Sequence, residues 1–277
     1  MVRARLRAAL TAFLLLAPAC GPEPVPTPTP LPKVLYIGVT TDHPGWSTHE
    51  AGTNRRTGFD IALADWLRSR LARDVTFVDL RLEERIEALE DHKVHMVIST
   101  FSITDERRKV IDFAGPYMIT RQGVLVRKDD HRIKNYDDLT RKNRNICVAS
   151  GTTSQEQLQP FNGKGLALTV EPALQGCFER LVNKQVDAFS TDQLVLHGFA
   201  KSRLETRVLD DLTFGAQEQY GIGLPNHDKS TCDLLAGHLK TFLYEGKWEE
   251  FLERNLHPAN LAAYKPLDLD PCEDGTT

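Results

Sequence analysis

From Lys33 onward, apolar and polar positions run in blocks that switch between two periods. VLYIGVT (34 to 40) is nearly continuous apolar sequence, as expected of a strand buried on both faces of a parallel sheet. A polar stretch with Pro44, Gly45 and Gly52 follows. In GFDIALADWLRSRLARD, residues Ile61, Ala64, Leu67 and Leu71 recur at helical spacing, which predicts a helix opening after Gly58. VTFVDL reads as the next strand, ERIEALEDH as a short helix, and Val94 to Ser99 as a third buried strand. This β-α-β-α-β order implies an α/β fold with a parallel, doubly wound sheet. Ligands sit at the carboxyl ends of the strands in such sheets, here the loop at Asp42 and the segment from Thr100 to Arg107.

The stretch from 94 to 118 is the most informative. After its strand come the hydroxyls Thr100, Ser102 and Thr104, a short helix opening at Asp105, and a second strand around Val110 to Phe113. Arg107 projects from the first turn of that helix. Backbone N–H groups, hydroxyls and a guanidinium gathered at one strand end suit a carboxylate. The theme then restarts: a strand at Gly123 to Lys128, a helical turn at Tyr136 to Leu139, the strand NICVAS, and a Gly-Thr-Thr-Ser turn opening a helix. LALTVE and VDAFS read as strands, ALQGCFERLVNK as an amphipathic helix, and DQLVLHGFAKS as a helix starting at Asp192. The strand YGIGLP and two helices, 228 to 245 and 246 to 255, close the chain. Two similar lobes result, with extended segments at 122 to 128 and 219 to 224 as two crossings that make a hinge.

At 277 residues the chain is long enough for one large domain or two ordinary lobes, each with its own core. A net charge of −4 with mixed signs leaves no basic stripe and argues against nucleic acid as a partner. Arg3, Arg5 and Arg7 precede the apolar run AALTAFLLLA, too short to span a bilayer, which predicts an export signal over 1 to 19. Ala17-Pro18-Ala19-Cys20 resembles a bacterial lipobox, with Cys20 lipidated. Ordinary cleavage after Ala19, leaving Cys20 as an odd thiol, is the alternative. GPEPVPTPTPLP (21 to 32) completes a tether, 20 to 32; at about 3.1 Å per residue its twelve residues from 21 would reach roughly 37 Å. Among Cys147, Cys177, Cys232 and Cys272 three pairings can be drawn in an exported chain. The lobe reading favours Cys147 with Cys177 and Cys232 with Cys272. No C-x-x-C pair and no histidine at ligand spacing point to a metal, and no cofactor is implied.

GFDIALADWL, VHMVIS with SITDER and DFAGPYM, GTTS, VDAFSTD, YGIGLP and LYEGKWEEFLERN follow one another in this order. Together, from Lys33 to about Pro258, they resemble solute-binding protein family 3, the extracytoplasmic polar amino-acid receptors of ABC importers. A cysteine before GTTS and one in the next helix resemble the actinobacterial glutamate-binding branch in particular. The resemblance implies a two-lobed, type II periplasmic-binding-protein (Venus-flytrap) fold, each lobe a mostly parallel sheet flanked by helices. Residues 33–122 and 221–277 would form lobe 1 and 123–220 lobe 2. It implies a lipid-anchored monomer outside the membrane that hands glutamate or aspartate, or else glutamine or asparagine, to an ABC permease.

By the same resemblance, Arg107 matches the arginine that grips the ligand α-carboxylate, and its planar fork suits a bidentate pair. The plain alternative is a solvated arginine like Arg108. Asp192 matches the acceptor of the α-ammonium and can also cap the helix that follows it. Thr100, Ser102, Thr152 and Thr153 match hydroxyl and backbone contacts, whereas Ser154 can serve as a cap. Arg85 matches an arginine that faces an acidic ligand side chain, its alternative being an exposed residue paired with Glu83 or Glu84. Four positions depart from the pattern: Ala62 replaces a usual acidic residue, Leu82 an aromatic, Ala149 a polar side chain, and Thr40 a second arginine. Two other functions compete. A dehydratase-like enzyme on this fold finds no G-x-S-x-G, H-E-x-x-H or P-loop in the chain. A sensor domain would need a separate signalling partner.

Overall fold

The computed structural model describes residues 31–256 and 260–273. The expected signal segment, Cys20 and most of the tether lie outside these residues. The chain forms β1 (Val34–Val39), β2 (Asp42–His43), β3 (Ser47–His49), β4 (Arg56–Thr57), α1 (Phe59–Leu71), β5 (Asp74–Asp79), α2 (Arg85–Glu90), β6 (Met96–Val97) and α3 (Asp105–Arg108). There follow β7 (Ile111–Arg127), α4 (Tyr136–Thr140), β8 (Arg144–Ala149), α5 (Thr153–Leu158), β9 (Leu166–Glu171), α6 (Leu174–Val182), β10 (Ala188–Asp192) and α7 (Gln193–Ser202). The last elements are β11 (Thr206–Val208), β12 (Phe214–Pro225), α8 (Lys229–Tyr244) and α9 (Lys247–Asn255).

One curled, mixed sheet runs through the molecule in the order β5-β1-β6-β12-β7-β10-β8-β9, with β11 paired to β7. The parallel trio β5, β1 and β6 belongs to the first lobe, and the parallel trio β10, β8 and β9 to the second. The antiparallel pair β7 and β12 joins them. The inner strands β8 and β10 are buried on both faces over most of their length, so consecutive residues feed different cores, whereas the edge strands β5 and β9 are partly exposed. In β8, Ile146 and Val148 pack in one apolar cluster while Cys147 and Ala149 pack in the other. Helix α9 returns to the first lobe, where the fully buried Trp248 donates Nε1–H to the Tyr117 carbonyl at 2.8 Å.

Three details differ from the sequence expectation. The strands read at Val110 to Phe113 and Gly123 to Lys128 are one 17-residue strand, β7. Pro116 lies within this strand, where the β7–β12 register shifts, so no ladder bond needs its missing N–H. Of the buried stretch from Val94 to Ser99, only Met96–Val97 joins the ladder. The polar stretch from 42 to 57 folds as a small sheet, β2-β3-β4, rather than a loop.

Disulfides join Cys147 to Cys177 and Cys232 to Cys272. The first ties β8 to α6. The second straps the segment after residue 260 to α8, and there the Asp270 N–H donates to Gly115 O at 2.7 Å. Arg108 Nη2 donates to the Asp270 carboxylate at 2.7 Å, which occupies that arginine in a structural pair.

The opening of α1 depends on Gly58, whose φ of +126° is open to glycine and whose added Cβ would lie 2.2 Å from the Trp46 carbonyl oxygen. Gly58→Ala should therefore destabilise the fold by about 1–3 kcal/mol. A thermal denaturation midpoint equal to that of the unsubstituted chain would refute this.

Candidate functional site

On the first lobe the site is built where β6 ends. Thr100 sits at φ 42°, a left-handed conformation that is strained for a β-branched residue. Its N–H donates to Asp60 Oδ2 at 2.9 Å, and Asp60 Oδ1 accepts from the Tyr117 hydroxyl, also at 2.9 Å. Asp60 is fully buried, and burial raises its carboxyl pKa to about 7. Thr104 caps α3 by accepting the Arg107 N–H at 3.2 Å, which sets the course of the Arg107 side chain.

Arg85 and Arg107 are 2% and 6% exposed, so neither is a surface arginine. Arg107 donates from Nη1 to Ser102 O at 2.7 Å and from Nη2 to Gly151 O at 3.2 Å. Arg85 donates to Leu82 O at 2.8 Å, Ser99 O at 3.0 Å and Gly151 O at 3.2 Å. Both guanidiniums lie over the Phe101 ring, at 4.2 and 4.9 Å. Glu83 and Glu84, the alternative partners of Arg85, pair with Arg81 instead. Among the described residues neither buried arginine forms an ion pair. Burial, followed by the neighbouring Arg107, pushes the Arg85 pKa well down, and burial lowers that of Arg107.

The second lobe presents the turn from 151 to 154 and the end of β10. Gly151 has φ 72°, and a Cβ there would lie 2.7 Å from Glu83 Cα of the first lobe. Thr152 caps α5 by accepting the Gln155 N–H at 3.2 Å and donates to Ala149 O at 2.7 Å. Thr153 Oγ1 accepts from Gln122 Nε2 at 2.9 Å. Ser154, read as a cap, instead shares a 2.9 Å hydrogen bond with the Ser190 hydroxyl. Asp192 occupies the N-cap position of α7 but makes no side-chain cap bond, contrary to its expected double role. Its oxygens accept from Gln122 Nε2 and the Tyr220 hydroxyl, each at 2.5 Å. Burial, then the charge of Glu218, raises its pKa to about 7.

Arg85, Thr100, Ser102, Arg107, Thr152, Thr153 and Asp192 all line one small cavity between the lobes. His43, Leu82, Leu174 and Thr191 complete its wall. Sequence reasoning missed His43 and the supporting side chains Asp60, Gln122, Glu218 and Tyr220. Only Asp60 carried a signal, its place in the GFD sequence that opens α1. A cavity with two guanidiniums at one side, a carboxylate at the other and hydroxyls between them is complementary to a zwitterion carrying an extra acceptor. Among the described residues, no group of three or more His, Cys, Asp or Glu could hold a metal ion.

The sequence model of the bacterial extracellular solute-binding proteins, family 3, matches residues 35–258. The glutamate-binding protein GluB of Corynebacterium efficiens is 29% identical over 231 residues, covering 79% of this chain and 78% of that protein. A glutamine-binding protein of Geobacillus stearothermophilus is 32% identical over 204 residues, covering 73% of this chain and 76% of that protein. Among solved structures, an ancestral amino acid-binding protein described as a precursor of cyclohexadienyl dehydratase superposes with a TM-score of 0.74 at 29% identity. The match covers 81% of this chain and 96% of that one.

Because Asp60 and Asp192 both titrate near 7 when folded, well above an ordinary aspartate, protonation favours the folded chain. Their contribution is fully present below about pH 4 and is lost as pH rises through about 7. The melting temperature of the ligand-free chain should carry this decline between pH 4 and 7, and Asp60→Asn should flatten it. A pH profile unchanged by that substitution would show that Asp60 does not titrate in this range.

Proposed function

Because the chain belongs to family 3 of the bacterial extracellular solute-binding proteins, we propose that it captures an acidic or polar α-amino acid and delivers it to the permease of an ABC importer. Glutamate or aspartate stands ahead of glutamine or asparagine. The observation that carries this choice is the pair of buried guanidiniums with no carboxylate partner in the described chain. A buried cation is strongly destabilising unless neutralised, and a ligand with two carboxylates neutralises both. Arg107 binds the α-carboxylate, Asp192 the α-ammonium, and Arg85 the side-chain carboxylate. Thr100 and Ser102 on one lobe and Thr152 and Thr153 on the other supply hydrogen bonds. The protein is a binding protein and not an enzyme.

The working motion is closure of lobe 1 (33–122 and 221–277) on lobe 2 (123–220) about β7 and β12. Ligand favours closure only through contacts that exist in the closed form, and those come from Asp192 and the turn at 152 to 153. Export through the segment 1–19, lipidation at Cys20 and the tether 20–32 would hold a monomeric receptor at the extracytoplasmic face of the cell membrane, beside its permease.

A thermal-shift panel of the twenty amino acids tests the reading, since ligand at 100 times its Kd adds about 2.7 kcal/mol. Failure of every amino acid to raise the melting temperature would refute it. Arg107→Ala should cost at least ~2–5 kcal/mol of binding, beyond calorimetric detection. Arg85→Ala should weaken glutamate more than glutamine; equal losses would remove Arg85 from side-chain recognition.

A further inference from the structure

Gln122 is fully buried on β7, opposite Phe214 of β12 on one side and Asp192 of β10 on the other. Its Nε2 lies 2.5 Å from Asp192 Oδ1, 2.9 Å from Thr153 Oγ1 and 2.9 Å from Glu218 Oε1. An amide nitrogen carries two protons, so three acceptors compete for them. Its Oε1 is buried without a hydrogen-bond partner. Turning the amide over would set that oxygen against two carboxylates, which fixes the donor side toward them. Glu218, on the second crossing strand and 5% exposed, accepts further from Gln157 Nε2 at 3.2 Å. Among the described residues, neither Glu218 nor Asp192 is in an ion pair.

We infer that Gln122 and Glu218 are positioning residues for Asp192, and that through them the two hinge strands set how readily Asp192 accepts the ammonium of an amino acid. The inference rests on the proposed role of Asp192. A carboxylate must be ionised to hold an ammonium. The amide protons of Gln122 and the Tyr220 hydroxyl favour ionisation, and the second carboxylate, Glu218, opposes it. The other charged groups facing Asp192 are Arg107 from α3 and Arg85 from α2, and both favour ionisation. An arriving ammonium relieves the repulsion between Asp192 and Glu218 and displaces any proton on Asp192 into solvent. Binding therefore strengthens as pH rises toward about 7, the value at which burial holds Asp192 in the chain alone. Because the amide and Glu218 stand on β7 and β12, this adjustment falls on the two strands that carry lobe movement.

Calorimetric titration of glutamate between pH 5.5 and 8.5 tests this on the full chain, Glu218→Gln and Gln122→Leu. Glu218→Gln keeps an acceptor for Gln122 and removes the charge. Its pH midpoint for binding should move down by at least ~0.5 unit, with tighter binding at pH 6. Gln122→Leu should move the midpoint up and weaken binding at pH 7 at least ~10-fold. Midpoints unmoved in the two variants, with or without a uniform loss of affinity, would reduce both residues to packing and overturn the inference. If Gln122→Leu does not fold, the near-isosteric Glu218→Gln decides alone. Absence of any amino-acid binding by the unsubstituted chain would instead refute the proposed function, and this inference with it.

Discussion

Two guanidinium groups, Arg85 and Arg107, reach from one lobe to a single backbone carbonyl of the other, Gly151 O. Much of the surrounding structure follows from keeping two like charges buried. Each is given carbonyl acceptors and the face of Phe101, which together offset part of the desolvation without neutralising either charge. Gly151 must be glycine for the approach, since a side chain there would meet the Glu83 backbone. The short stretch at the end of β6 is also contorted. Thr100 keeps a left-handed backbone because Asp60, buried beneath it, holds its N–H.

The opposite wall balances this excess of positive charge. Asp192 stands at the end of β10, and Glu218 lies behind it on a crossing strand. Both are nearly inaccessible, and the Gln122 amide spans them. The cavity is thus polarised from lobe to lobe, a distribution matched by a zwitterion oriented with its ammonium toward the second lobe. Because the anionic side is anchored on β7 and β12, the hinge belongs to the electrostatics of the cavity as well as to its mechanics.

Family membership and site geometry support each other from different directions. The match over residues 35–258 covers both lobes and both crossings. The relatives named above include proteins called glutamate-binding and glutamine-binding, so the family resemblance fits several polar ligands. Arg85, His43, Leu82 and Leu174 line the cavity together with Arg107 and Asp192.

Sequence periodicity alone determined most of the elements, because strands buried on both faces and amphipathic helices leave unmistakable apolar patterns over six or more residues. It also placed hydroxyls, Arg107 and Asp192 at strand ends, where local order is enough to expose them. Elements of two or three residues, such as β2, β3, β4 and β11, left no such pattern. Nor was the continuity of β7 legible, since Pro116 is tolerated only where β12 shifts register. Whether Arg85 is a surface or a buried residue depended on Ser99 and Gly151, distant in the chain. Asp192 proved not to cap its helix because Gln122 and Tyr220, on two other strands, take both of its oxygens. Contacts between residues far apart in sequence are formed by packing, and they alone decided which charges are buried and what faces them.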